Sequence, residues 1–138
     1  MPTALSFRVH HIMLPVADLD RAVDFYTRLF GMGLVSRKTF AARQVEIAMV
    51  GYGAGDGAPP APPLFELVKD TSAQAPAQVT PLANHIAIDV SDLRALCDAL
   101  ESECVVFTER FAARPDGKGF GAWIRDRDGH ALQLSQRG

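Results

Sequence analysis

The chain has 138 residues, 48% hydrophobic and 22% charged, with a formal net charge of −2, the make-up of one ordinary globular domain. Nothing in that balance favours nucleic acid or an anionic membrane as a partner, and no apolar run nears the ~20 residues needed to cross a bilayer. The first residues lack a basic stretch followed by an apolar one, so no secretory leader is expected and the cytoplasm is the expected compartment.

In chain order, the first strand is expected from His11 onward, where Ile12, Leu14 and Val16 alternate with His11 and Met13. A helix follows, because Leu19, Ala22, Val23, Phe25, Tyr26, Leu29 and Phe30 recur at helical spacing. Asp18 is placed to cap its first turn, and Gly31 and Gly33 to end it. Three strands are read next, over 34–40, 45–50 and 64–68. The Gly/Pro stretch between the last two cannot hold regular structure, and its length suits either a rim loop or a plain solvated one. Residues 70–82, rich in Ala, Pro and Gln, read as a linker.

A second copy of the pattern follows. H-I-M-L-P-V-A-D-L at residues 11–19 and H-I-A-I-D-V-S-D-L at residues 85–93 share His, Ile, Val and Asp-Leu at a constant offset of 74. Asp92 or Ser91 caps a second helix carrying Leu93, Leu96, Cys97 and Leu100 on one face. Strands are then expected over 105–109, 120–125 and 131–135, with Gly-bearing turns between them. The fold class is therefore α+β: two tandem βαβββ modules, about 6–69 and 83–138, within a single domain spanning 1–138. Each would form a four-stranded sheet with a helix on one face. Cys97 and Cys104 belong to no CxxC motif and read as two buried apolar thiols.

Side chains alternate across a strand, so parity assigns faces. If Ile12, Leu14 and Val16, like Ile86, Ile88 and Val90, pack on the helices, His11 and His85 face the other way. Phe65 and Leu67 likewise leave Glu66 opposed, and Leu132 and Leu134 leave Gln133. Leu64-Phe65-Glu66-Leu67 matches Ala131-Leu132-Gln133-Leu134 at an offset of 67. Two imidazoles and a carboxylate are sound ligands for a first-row divalent ion, with a glutamine oxygen as a weaker fourth. His11, Glu66, His85 and Gln133 are thus the expected metal residues. In Gln44-Val45-Glu46-Ile47-Ala48-Met49-Val50, Val45, Ile47 and Met49 read as core-facing, which turns Glu46 toward the face of Glu66. His10 is expected to point away from His11, and His130 to be exposed or to stand behind the ligands. Trp123 and Phe120 line the pocket or simply pack. Arg114, Lys118 and Arg125 read as solvated charges or as holders of an anionic substrate at the cavity mouth.

The stretch H-H-I-M-L-P-V-A-D-L-D-R-A-V-D-F-Y-T-R-L-F-G-M resembles the opening of vicinal oxygen chelate proteins, the superfamily of glyoxalases, bleomycin-resistance proteins and extradiol dioxygenases. N-H-I-A-I-D-V-S-D-L resembles the start of their second module, and D-R-D-G-H-A-L-Q-L-S-Q their closing strand. The resemblance implies a divalent ion (Ni, Co, Zn, Mn or Fe(II)) on His11, Glu66, His85 and Gln133, and a small-molecule substrate that chelates it through adjacent oxygens. It implies a homodimer, whose interface can complete the site. It also implies proton transfer of the lyase or isomerase kind, with an Fe(II) extradiol-type dioxygenase and a non-catalytic antibiotic-binding protein as the alternatives. Most metal-dependent members have Glu where this chain has Gln133, so the proton falls to Glu66 or Glu46. Bacterial glyoxalase I has Arg in the slot of Pro15 and Asn in that of Asp70, departures that point away from glutathione thiohemiacetal as the substrate.

Overall fold

The computed structural model describes residues 6, 8–55, 57–72 and 85–137. The chain divides into two compact units, Met1–Pro76 and Ala77–Gly138. The first unit runs β1 (His11–Val16), α1 (Leu19–Asp24), β2 (Gly33–Phe40), β3 (Val45–Gly51) and β4 (Leu64–Asp70). Its sheet has the order β1-β4-β3-β2, with β1 parallel to β4 and the other neighbours antiparallel. The second unit repeats it with β5 (His85–Asp89), α2 (Leu93–Ser102), β6 (Val106–Ala113), β7 (Phe120–Arg125) and β8 (Ala131–Gln136), in the order β5-β8-β7-β6. Two tandem βαβββ units are thus the architecture, as the internal repeat required. Most of the expected linker lies outside the described residues, and β4 takes up its first residue, Asp70.

Capping residues start both helices. The Asp18 carboxylate accepts from the Arg21 amide at 3.0 Å, and that of Asp92 from the Ala95 amide at 3.1 Å, each satisfying an N–H that the first turn leaves orphaned. After Asp24, α1 continues as a π-helical stretch, Phe25–Leu29. The widened turn buries Phe25 and Tyr26 side by side, both 1% exposed, where a uniform 3.6-residue period would send adjacent residues in different directions. Tyr26 meets Phe65 of β4 edge to face at 5.3 Å.

α1 packs on β3 and β4, and α2 on β6, β7 and β8. Under α1 lie Leu14, Ala48, Val50 and Leu67, all buried, and under α2 Ala122, Ile124, Leu132 and Leu134. The Leu, Ile and Val side chains among them contribute roughly 1.5–3 kcal/mol each when fully buried. The face expected for Leu14, Val16, Leu67, Leu132 and Leu134 is the face observed. Ile12, in the edge strand β1, stays 44% exposed.

β6 runs four residues beyond its expected end, through register shifts between Phe107 and Glu109 and between Glu109 and Ala112. Such irregularities break the two-residue alternation from which strand ends are read. In the loop after β3, the Tyr52 hydroxyl donates to the Phe30 carbonyl at 2.6 Å and the Ala61 amide to the Tyr52 carbonyl at 2.8 Å. These bonds tie the loop back onto the helix end and onto its own base.

Candidate metal centre

In the first unit the parallel register sets His11 opposite Leu64 and Met13 opposite Glu66. His11 and Glu66 are therefore diagonal neighbours on the face away from α1. His11 Nε2 stands 3.5 Å from Glu66 Oε2, with side chains 40% and 22% exposed. That distance is long for a hydrogen bond. It is close to the roughly 3.0–3.4 Å separating two donors that share one ion at 2.0–2.2 Å, so the pair fits a divalent metal.

The other imidazole nitrogen is engaged as well. His10 Nδ1 and His11 Nδ1 lie 2.9 Å apart, with the rings edge to face at 5.2 Å. One of them donates; when it is His11, its Nε2 keeps a free lone pair toward Glu66, the tautomer a ligand needs. This corrects the expectation that His10 points away: it precedes the first residue of β1, where strand parity does not yet apply.

The second unit repeats the register. His85 is opposite Ala131, and Ala87 opposite Gln133, so His85 and Gln133 take the diagonal that His11 and Glu66 take in the first sheet. Trp123 lies opposite Gln133, and its ring meets His85 at 5.0 Å. Trp123 thus belongs to the face of His85 and Gln133. Phe120 does not: it stacks on Phe111 at 4.9 Å, and its parity is that of Ala122 and Ile124 in the core.

The structure moves Glu46 to the other face. Buried Ala48 and Val50 share its parity, and its carboxylate lies 3.9 Å from Arg37, which reaches Asp20 of α1 at 2.7 Å. Val45, Ile47 and Met49, expected in the core, stand on the side of Glu66, where Met49 is its antiparallel partner. Both faces of β3 are apolar, so alternation alone assigned them the wrong way round. Of the two readings of His130, the exposed one is overturned. His130 is 5% exposed, buried where the turn closes as its amide and that of Asp128 donate to the Asp126 carboxylate at 2.8 and 3.0 Å.

Of the two departures, Pro15 shares the face of His11 by parity. Asp70 is exposed and accepts from the Ser72 amide at 2.8 Å, and hydrogen bonds from Ser72 hold its carboxyl below the usual range. Arg125 donates to the Gly129 carbonyl at 2.9 Å, bracing the β7–β8 turn. Arg114 donates to the Ser135 hydroxyl at 3.0 Å and pairs with Asp116 at 3.3 Å. Among the described residues no group of three or more His, Cys, Asp or Glu side chains gathers as a metal cluster, and no helix is long and apolar enough to cross a membrane.

Each of the two repeated units carries a histidine and a diagonal acid or amide on its helix-free face. The family model of the glyoxalase/bleomycin resistance protein/dioxygenase superfamily matches residues 8–134, and the chain belongs to that family. It is similar to a probable lactoylglutathione lyase of Vibrio cholerae, 31% identical over 95% of this chain and 91% of the relative. Among solved structures it is similar to the trypanothione-dependent glyoxalase I of Leishmania major. That match has a TM-score of 0.76 and 25% identity, covering 95% of this chain and 87% of the other. Glyoxalase I of Zea mays matches with a TM-score of 0.78 and 26% identity, over 95% of this chain and 45% of that longer one. These relatives support an enzyme of the glyoxalase type, a lyase.

Proposed function

We propose that the chain is a metal-dependent lyase that moves a proton α to a carbonyl, on a small substrate with two adjacent oxygens. The observation that carries the reading is the 3.5 Å approach of His11 Nε2 to Glu66 Oε2 on a helix-free sheet face, with the same diagonal repeated by His85 and Gln133. These four residues are the proposed metal ligands, the ion being Ni, Co, Zn, Mn or Fe(II). The family resemblance supports a homodimer as the working form.

When bound, such an ion supplies Lewis-acid polarisation of the substrate's adjacent oxygens. The proton is the protein's own task. Gln133 does not ionise, and Glu46 stands with Arg37 on the helix side, so the base is Glu66. Its strand partners on either side are Met13 and Met49, thioethers that offer no competing acid. Glu66 takes the proton from the carbon bearing the hydroxyl and returns it to the neighbouring carbon, while the hydroxyl proton passes to the former carbonyl oxygen. In a thiohemiacetal the former carbon becomes a thioester carbonyl and the latter an alcohol; atoms and charge balance. A positioned base of this kind contributes about 10²–10⁴-fold.

The test is turnover in D₂O of thiohemiacetals of methylglyoxal made with glutathione and with simpler thiols, after loading each metal in turn. Solvent deuterium at the new C–H of the product is expected, with Pro15 and Asp70 disfavouring glutathione among the thiols. Oxygen uptake on a catechol by the iron-loaded chain, with no thiohemiacetal turned over, would replace the proposal with extradiol chemistry.

A further inference from the structure

The second unit contains a cavity of about 200 Å³ whose walls include Trp123, Gln133, Ser135, Arg114, Arg110 and Glu109. It opens on the face of β7 and β8 that carries Gln133, because Trp123 pairs with Gln133 and Gly121 with Ser135. Its volume suits a small substituent, since whole-ligand pockets run from about 300 to 1,000 Å³. Two cations line it. Arg110 reaches away to Glu101 at 2.6 Å, which leaves Arg114, whose side chain is 18% exposed.

Arg114 is held in place on two sides. Its Nε and Nη2 face the Asp116 carboxylate at 3.4 and 3.3 Å, and Nη1 donates to Ser135 Oγ at 3.0 Å. These contacts take three of the five guanidinium N–H groups. One N–H remains on each terminal nitrogen, the pair that meets a planar carboxylate in two parallel hydrogen bonds. Ser135 is 1% exposed, so it anchors the fork from a fixed point. Asp116 lies on the solvent side, its side chain 48% exposed, where its charge is screened. Glu109, in the cavity wall, disfavours a second negative charge.

We propose that this cavity is a carboxylate subsite for the substrate, with Arg114 as the residue that binds it. The inference rests on the proposed function, since it places the reacting end of the same molecule beside Gln133. It makes the substrate an acid whose carboxylate lies a few bonds from the adjacent oxygens. Glu109 tunes the subsite toward a singly charged group and away from phosphate.

Trp123 is the only tryptophan of the chain and it lines the cavity, so its fluorescence reports occupancy. The full chain, stripped of metal, is titrated with glutarate, with dimethyl glutarate and with inorganic phosphate. A saturable change with glutarate is expected, and none with the diester. Arg114→Gln is expected to weaken glutarate about 10- to 100-fold, in keeping with hydrogen bonds to a charged group. Arg114→Lys should recover part of the loss, Glu109→Gln should tighten binding, and Lys118→Gln should change nothing. Equal affinity in the parent and Arg114→Gln, equal binding of the diester, or preference for phosphate would each overturn the proposal. Because the titration uses no metal, carboxylate binding in a chain that takes up no metal would uphold the subsite and reject the lyase reading alone.

Discussion

Replacing Glu66 and Glu46 in turn by Gln gives opposite outcomes if the sheet faces are assigned correctly. Glu66→Gln keeps the size and one acceptor oxygen but removes the charge 3.5 Å from His11 Nε2 and the group that can carry a proton. A base of this kind is worth 10²–10⁴-fold, so kcat is expected to fall by about that factor, with weaker metal retention. Glu46 sits 3.9 Å from Arg37, with side chains 31% and 38% exposed. A pair so open to water contributes about 0–1 kcal/mol, and Arg37 keeps Asp20 at 2.7 Å. Glu46→Gln should therefore lower stability by no more than about 1 kcal/mol and leave kcat within about twofold, below the 10²-fold floor for a lost base. Steady-state rates on the best thiohemiacetal, with urea unfolding of each variant, read both quantities. A large loss of kcat in Glu46→Gln with normal turnover in Glu66→Gln would refute the face assignment and the choice of base.

Leu67 is 0% exposed at the middle of β4, so Leu67→Ala should cost about 2–5 kcal/mol in denaturant unfolding; a cost below 1 kcal/mol would contradict its place under α1. Cys97 is buried as expected, whereas Cys104, in the turn after α2, is exposed and not buried; burial, reinforced by the charges of Glu101 and Asp98, pushes the Cys97 thiol up. Alkylation at neutral pH should label Cys104 well before Cys97. A raised folded value favours the neutral thiol, so this small contribution to stability is present below the unfolded thiol's pKa and is lost as pH rises through the folded one. Mass-spectrometric mapping of iodoacetamide adducts across alkaline pH checks both the order and the sign.

The doubling of the fold was legible because two signals agreed. A His-Ile…Val…Asp-Leu match gave one offset, and Leu-Phe-Glu-Leu against Ala-Leu-Gln-Leu gave another. The observed pairings, Met13 with Glu66 and Ala87 with Gln133, put both matches on the same diagonal. Strands with one plainly apolar row, such as β4 and β8, yielded their faces by parity. β3 did not, because Val45, Ile47 and Met49 on one side are as apolar as Ala48 and Val50 on the other. Parity also fails before a strand begins, as at His10. The π-helical continuation of α1 was hidden for a similar reason: Phe25 and Tyr26 fit a helical stripe of either width. Nothing local separates Arg114 from Lys118 and Arg125; the bond to Ser135, 21 residues onward, does so, and only folding creates it.

The most direct test of the central claim is the metal content of the full chain purified without chelator, beside His11→Ala and His85→Ala. Near-stoichiometric divalent metal in the parent, lost in both variants, is the predicted result, since each unit is assigned half of the ligands. A parent that holds no metal even after reconstitution, or variants that retain it fully, would contradict the account.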